Sequence, residues 1–245
     1  MTSQPLRIGV LLVDCVQLLD LAAIDLFNMT TPEYLQSCHL PQPLMNLARP
    51  CEIHYIGAQP AGTIQPTTAQ MSLSLTACVS DEFVAPGKLD VLLIPGPDPS
   101  VVPPETMLEF VRGHDEAGTT ILSICTGIYV VAYAGLHKGR KVTGPRFLIP
   151  QLKEKFPEAE VWDSELRVVR DGRLWSCGGI TNGHDMVAEY LRQNYPDALV
   201  NAILAMADVE DRGLHYSSSV TRDNAFFVWQ IAKALPAAVL KMITG

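Results

Sequence analysis

A chain of 245 residues with 48% hydrophobic content can bury one sizeable core, and its low charged fraction of 18% suits a chain rich in buried strands. The net charge of −8 and the lack of any Lys/Arg cluster argue against nucleic acid, and no uninterrupted apolar stretch approaches the ~18 residues of a membrane span. Six cysteines, at positions 15, 38, 51, 78, 125 and 177, form no CxxC pair; they read as reduced cytosolic thiols, not a disulfide framework or a metal cage.

The first element is a strand. Met1 to Pro5 lead directly into the apolar run 7–13, which ends at Asp14 and has no small-residue cleavage site, so it reads as a strand of a cytoplasmic protein and not as a signal peptide. Further Val/Ile/Leu-rich runs at 51–57, 89–94 and 119–124, each bounded by Gly, Pro or Asp, have the character of buried parallel strands. Helical patterns alternate with them at 21–29, 105–117, 127–134 and 185–194, which implies a mostly parallel sheet with helices on both faces. Residues 30–50 carry four prolines and little periodicity and read as a surface insertion. Residues 158–177 read as antiparallel strands, with Asp171-Gly172 as a two-residue hairpin turn. The tail, 197–245, is expected to be helical around the polar stretch 213–219. No linker or repeat divides the chain, so the expectation is a single domain with a core over about 6–195.

Three segments carry chemistry. A β-branched strand runs into Cys125-Thr126-Gly127 and at once into an apolar helix, the layout of a nucleophile elbow. Gly127 permits close packing at that turn, and the helix start beside the sulfur should favour thiolate. A free cysteine is more often a small buried hydrophobe; its place on this turn favours a functional thiol. Asp20 stands alone among Leu18, Leu19, Leu21, Ala22 and Ala23, where it is either a helix N-cap or a carboxyl held for function. The run 90–94 ends in Pro95-Gly96-Pro97-Asp98, a tight turn that gains interest if it lies over Cys125. Cys15 either lines the same pocket or packs. His54, His114, His137 and His215 have no partner at ligand spacing, so no metal is expected. His184 and Asp185 read as a structural helix opening, and Trp162, Trp175 and Trp229 as core or interface.

Together these segments resemble the DJ-1/PfpI (ThiJ) superfamily, and within it they are most similar to the isocyanide hydratase-like branch and to fungal members. The resemblance runs over roughly 6–195. It rests on Val16-Gln17-Leu18-Leu19-Asp20-Leu21, on Ile124-Cys125-Thr126-Gly127 with Ala134-Gly135-Leu136 and Gly139-Arg140-Lys141-Val142-Thr143, on Arg170-Asp171-Gly172, and on Gly178-Gly179-Ile180-Thr181-Asn182-Gly183. It implies a flavodoxin-like three-layer sandwich, usually a homodimer, that needs no cofactor. Cys125 would be the nucleophile, Asp20 a protonated carboxylic acid near the sulfur, and Thr126 a donor through its N–H and hydroxyl. The reaction implied is attack of Cys125 on an isocyanide carbon, with Asp20 handling the proton and water releasing an N-substituted formamide. Gly96, Pro97, Gly127, Arg146 and Cys15 would line the substrate pocket.

The chain departs from the family pattern at three places. Thr126 follows the cysteine where peptidase-like members have His, which argues against a protease. Pro97 replaces a glycine whose N–H helps bind anions. Thr143-Gly144-Pro145-Arg146-Phe147 stands where hydratase relatives have a His-Trp pair. The alternatives are a glyoxalase-like or biosynthetic enzyme acting on a small carbonyl electrophile, or a non-catalytic redox-sensing dimer built around an oxidisable Cys125. A transcription regulator would need a basic helix-turn-helix domain, which the unbasic tail does not supply.

Overall fold

In the computed structural model, which describes residues 4–244 and side chains as far as residue 235, the apolar runs form the central strands of one seven-stranded sheet. The chain opens with β1 (Leu6–Leu11), followed by the helical stretch α1 (Leu18–Leu21) and α2 (Asp25–Asn28), joined by a 3-10 turn. Next come α3 (Pro32–Ser37), α4 (Gln42–Met45) and β2 (Cys51–Gly57). The small hairpin β3 (Ile64–Pro66) and β4 (Ser72–Ser74) precedes β5 (Ala77–Cys78) and β6 (Val91–Ile94). Then follow α5 (Glu105–Glu116), β7 (Thr120–Ser123), α6 (Gly127–Tyr133) and β8 (Lys141–Thr143). The chain continues through α7 (Ile149–Lys155), β9 (Val161–Asp163), β10 (Val168–Asp171) and β11 (Leu174–Cys177). It closes with α8 (Asn182–Asn194), α9 (Asp197–Met206) and α10 (Val220–Thr244).

The strand order is β10-β11-β7-β6-β1-β2-β5, and every pairing is parallel except β10 with β11. Alternation along each strand feeds two cores. Ile8 and Val10 of β1, Val91 and Leu93 of β6, and Leu122 of β7 face a core shared with α2, α8 and α9. Leu11, Leu92, Ile94 and Ile121 face a second core built with α5 and α6. The two periods, 2 along strands and 3.6 along helices, thus produce a three-layer α/β sandwich. Neighbours of β1 lead the chain away in opposite directions, to β2 on one side and β6 on the other. In parallel sheets such a switch point opens a crevice at the carboxyl ends of the strands.

Two expectations need correction. Residues 30–50 do not form a mere surface insertion: Thr31 caps α3 by accepting the Tyr34 N–H at 3.3 Å, Pro32 sits in its first turn, and Leu35 is fully buried. Only part of 158–177 is antiparallel, since β9 pairs in parallel with β8 in a separate ribbon. The hairpin itself forms, with Gly172 at positive φ as its turn requires. Trp162 and Trp175 are core residues, whereas Trp229 on α10 is 61% exposed. No helix among the described residues is long and apolar enough to cross a membrane, and no cluster of His, Cys, Asp and Glu among them could hold a metal.

Candidate active site

Four strand ends converge at the switch point. The turn after β7 puts Cys125 at φ 54°, a left-handed conformation that costs a non-glycine residue roughly 1–2 kcal/mol. The turn can be that tight because Gly127 carries no side chain; a Cβ there would run into the Ile94 carbonyl oxygen. Cys125 is 9% exposed and opens into a cavity of about 330 Å³. Cys15 and Gln17 reach it from the loop after β1, Gly96, Pro97 and Asp98 from the turn after β6, and Thr68 and Ile180 from farther along the chain. A larger surface concavity of about 500 Å³, near Arg7, His54 and Lys88, holds a His54–Glu52 contact at 3.3 Å and is lined by no cysteine.

Asp20 lies behind Gly96. It is not a cap, since Gln17 occupies the N-cap position of α1. It is fully buried; Oδ2 accepts the Gly96 N–H at 2.8 Å, while Oδ1 finds no partner among the described residues. Burial raises its carboxyl to about 7, against the smaller opposing effect of that N–H. Its charge reaches the neighbouring thiol. Burial first, and then the negative charge of Asp20, push the Cys125 thiol up, while the N–H groups of Ile180 and Thr126 draw it down. The expectation of a depressed thiol is therefore reversed: at this helix start, desolvation and a neighbouring carboxylate outweigh the backbone N–H groups. The Thr126 hydroxyl donates to the Pro97 carbonyl at 2.7 Å, which ties the elbow to the Gly96 turn.

Gly96 is the contact between acid and elbow. A Cβ there would overlap Thr126 Oγ1 and lie 2.7 Å from Asp20 Oδ2. Gly96→Ala is expected to destabilise the fold by roughly 1–3 kcal/mol, lowering Tm by several degrees, and to alter the reactivity of Cys125. Thermal unfolding beside iodoacetamide labelling checks both effects; a native Tm with native labelling would show that the turn yields without cost.

A model of the DJ-1/PfpI family matches residues 29–193. The chain belongs to the DJ-1/PfpI family. It is 34% identical over 123 residues to the isonitrile hydratase of Pseudomonas putida, covering 49% of this chain and 51% of that protein; the chain thus spans about half the length of the curated relative it matches. Among solved structures, a ThiJ/PfpI family protein from Pseudomonas syringae superposes with a TM-score of 0.68 at 18% identity, covering 95% of this chain and 88% of the other. Drosophila melanogaster DJ-1beta superposes with a TM-score of 0.65 at 14% identity over 84% of this chain and all of the other. These likenesses show the DJ-1/ThiJ fold.

Of the residues expected in the pocket of this DJ-1/PfpI chain, Cys15, Gly96, Pro97, Cys125 and Thr126 line it and Asp20 backs it. Gly127 and Arg146 do not. Gly127 is packed against β6, and Arg146, 7% exposed, is bound to other groups. Its Nε donates to Ser164 O at 2.7 Å, Nη2 to Ser218 O at 3.1 Å and Nη1 to Asp223 at 2.6 Å. Arg146 thus bolts the polar stretch 213–219 to the body of the protein.

That stretch comes up against the Gly178–Asn182 segment beside the cavity through Tyr216, which no local motif marks. Its ring lies between the guanidinium groups of Arg146 and Arg167, at 4.2 and 4.6 Å from the centroid. Its hydroxyl accepts from Asn182 Nδ2 at 2.7 Å and abuts Gly178, beside the loop that presents the Ile180 N–H to Cys125. Tyr216→Phe keeps the ring and removes that hydrogen bond, so alkylation of Cys125 at fixed pH should slow by roughly 2- to 10-fold. Unchanged alkylation across the pH range would show that the loop holds its shape without Tyr216. The Asp185 carboxylate, in the first turn of α8, meets Arg212 at 2.5 Å.

Proposed function

We propose that this protein is a cysteine-dependent hydratase acting on a small electrophile of the isocyanide type. The observation that carries this reading is the distribution of protons at the site. Asp20 is a buried acid poised near neutrality, and it is electrostatically coupled to the only cysteine on the elbow. The Gly96-Pro97 turn meanwhile has no N–H left to offer: that of Gly96 is held by Asp20, and Pro97 has none. Attack on a carbonyl builds an oxyanion, which needs such donors. Attack on an isocyanide carbon builds a carbanion-like centre, which needs a proton instead.

In the reactive state, Asp20 and Cys125 share one proton. The thiol proton passes to Asp20, sulfur bonds to the terminal carbon of R–N≡C, and Asp20 delivers that proton to the same carbon, giving a thioimidate. Asp20 then takes a proton from water as the hydroxide oxygen bonds to the carbon. The C–S bond breaks, the remaining water proton moves to nitrogen, and R–NH–CHO leaves. Atoms balance with water as the sole co-reactant. The P. putida isonitrile hydratase, by its name and its 34% identity over the matched segment, supports this substrate class.

The test is incubation of the protein with a small alkyl or aryl isocyanide, with the formamide read by mass spectrometry in ¹⁸O-labelled water. One labelled oxygen in an enzyme-dependent product is expected. A folded protein that yields no formamide above the buffer rate would move the search to carbonyl electrophiles.

A further inference from the structure

The cavity at Cys125 is electrically one-sided. Among the described residues that line it there is no Lys, Arg or His, and its one charged side chain is Asp98, exposed on the turn after β6. A second carboxyl, Asp20, stands behind Gly96. Arg146 and Arg212, from neighbouring segments, are paired with Asp223 and Asp185. Asp98 is also held in place. Pro99 after it restricts its backbone, and the Pro97 carbonyl before it is tied to the elbow by the Thr126 hydroxyl at 2.7 Å. Its Oδ1 accepts the Ser100 hydroxyl at 2.6 Å and the Ser100 N–H at 2.8 Å, bonds that hold the carboxyl below its usual range. Capping that turn uses Oδ1 alone; Oδ2 has no partner among the described residues.

We propose that Asp98 is a specificity-determining residue: the cavity selects electrophiles that carry a cationic substituent and turns away those that carry an anionic one. This rests on Cys125 as the reacting thiol and, for the substrate itself, on the isocyanide reading. The class named is then a small alkyl isocyanide with a protonated amine on its chain. Size agrees, since a cavity of about 330 Å³ has room for on the order of ten heavy atoms. The reacting carbon, a short chain and an ammonium group fit within that count. Electrostatics agrees as well. A fixed charge at the mouth of a cleft acts on what enters it, and the net charge of −8 adds to the same sign. Two unit charges about 7 Å apart, under screening between that of water and that of a protein surface, change a rate roughly 3- to 5-fold.

Labelling of Cys125 by three methanethiosulfonates tests it, with trimethylammonium-ethyl, methyl and sulfonato-ethyl groups as the cationic, neutral and anionic probes and peptide mass spectrometry to separate Cys125 from Cys15. At low salt the full chain should react fastest with the cation and slowest with the anion, relative to the free reagents' rates with a small thiol. Asp98→Asn keeps Oδ1 and with it the Ser100 turn, which thermal unfolding checks. It should slow the cation and speed the anion relative to the neutral probe, lowering their ratio roughly 10- to 25-fold, and 1 M salt should shrink that change. A ratio that moves less than about twofold, or three rates that shift together, overturns the proposal and leaves Asp98 as a turn residue. A Cys125 that no probe labels in the folded protein would remove the reactive thiol and the proposal with it. Turnover should follow the same order, with kcat/KM rising from isocyanoacetate through butyl isocyanide to an ammonium-bearing alkyl isocyanide. Charge-selective labelling with formamide from none of the three would uphold the role of Asp98 and refute the isocyanide reading.

Discussion

Cys125→Ala is expected to abolish isocyanide hydration, with kcat/KM falling roughly 10⁴-fold or more while the fold is kept. The sulfur is the only atom lost, and its surroundings bear little load: the residue is 9% exposed and its cavity already opens beside it. Cys125→Gly makes the contrast sharper. It removes the same sulfur and also the Cβ that makes φ 54° costly, so it should be inactive yet at least as thermostable as the alanine variant. Residual formamide production in either variant at more than a hundredth of the wild-type rate, an allowance of about 3 kcal/mol, would mean that Cys125 does not form the covalent bond. Cys15, which lines the same cavity, would then be the thiol to replace.

What could be read from the sequence was local, and what could not was long-range. The elbow was legible because strand, Cys125, Gly127 and helix are contiguous, and the steric reason for Gly127 acts within that segment and on the adjacent strand. Asp20 was legible as an anomaly, a lone carboxylate in an apolar run, but choosing between cap and buried acid required Gly96, 76 residues away. Gln17 and Ile180 lie inside segments that carry the resemblance but have no reactive side chain to single them out, and Thr68 lies in none; the fold brings all three to the cavity at one end of the sheet. Arg146 failed as a pocket residue for the same reason. Its partners Ser164, Ser218 and Asp223 come from two later segments, and no local pattern announces them. The helix α3 is the opposite case: the Thr31-Pro32 cap was present in the sequence, and four prolines masked it. At Cys125 burial, which no local pattern announces, dominates over the position at a helix start.

Asp20→Asn should separate function from stability. Replacing the carboxyl removes the group that carries the proton, a loss of about 10² to 10⁴ in kcat. In the wild type, activity should rise with pH through about 7 as the Asp20–Cys125 pair loses its first proton, and fall again where the second is lost. The same carboxyl sets a stability trend. Its folded value, about 7, lies above that of the unfolded chain, about 4, so the folded state keeps a proton the unfolded chain has released. Folding stability from this group is therefore full below about pH 4, declines as pH rises, and is gone above about pH 7, a swing on the order of 4 kcal/mol. Asparagine fits the site without titrating, since its carbonyl oxygen can accept the Gly96 N–H, and it has no such slope. Urea unfolding should find the two proteins similar near about pH 4 and the asparagine variant more stable by roughly 1–4 kcal/mol near about pH 8, with other titrating groups cancelling in the difference. A difference that stays flat with pH would mean that Asp20 is ionised throughout, and the buried acid at the centre of the proposed chemistry would be lost with it.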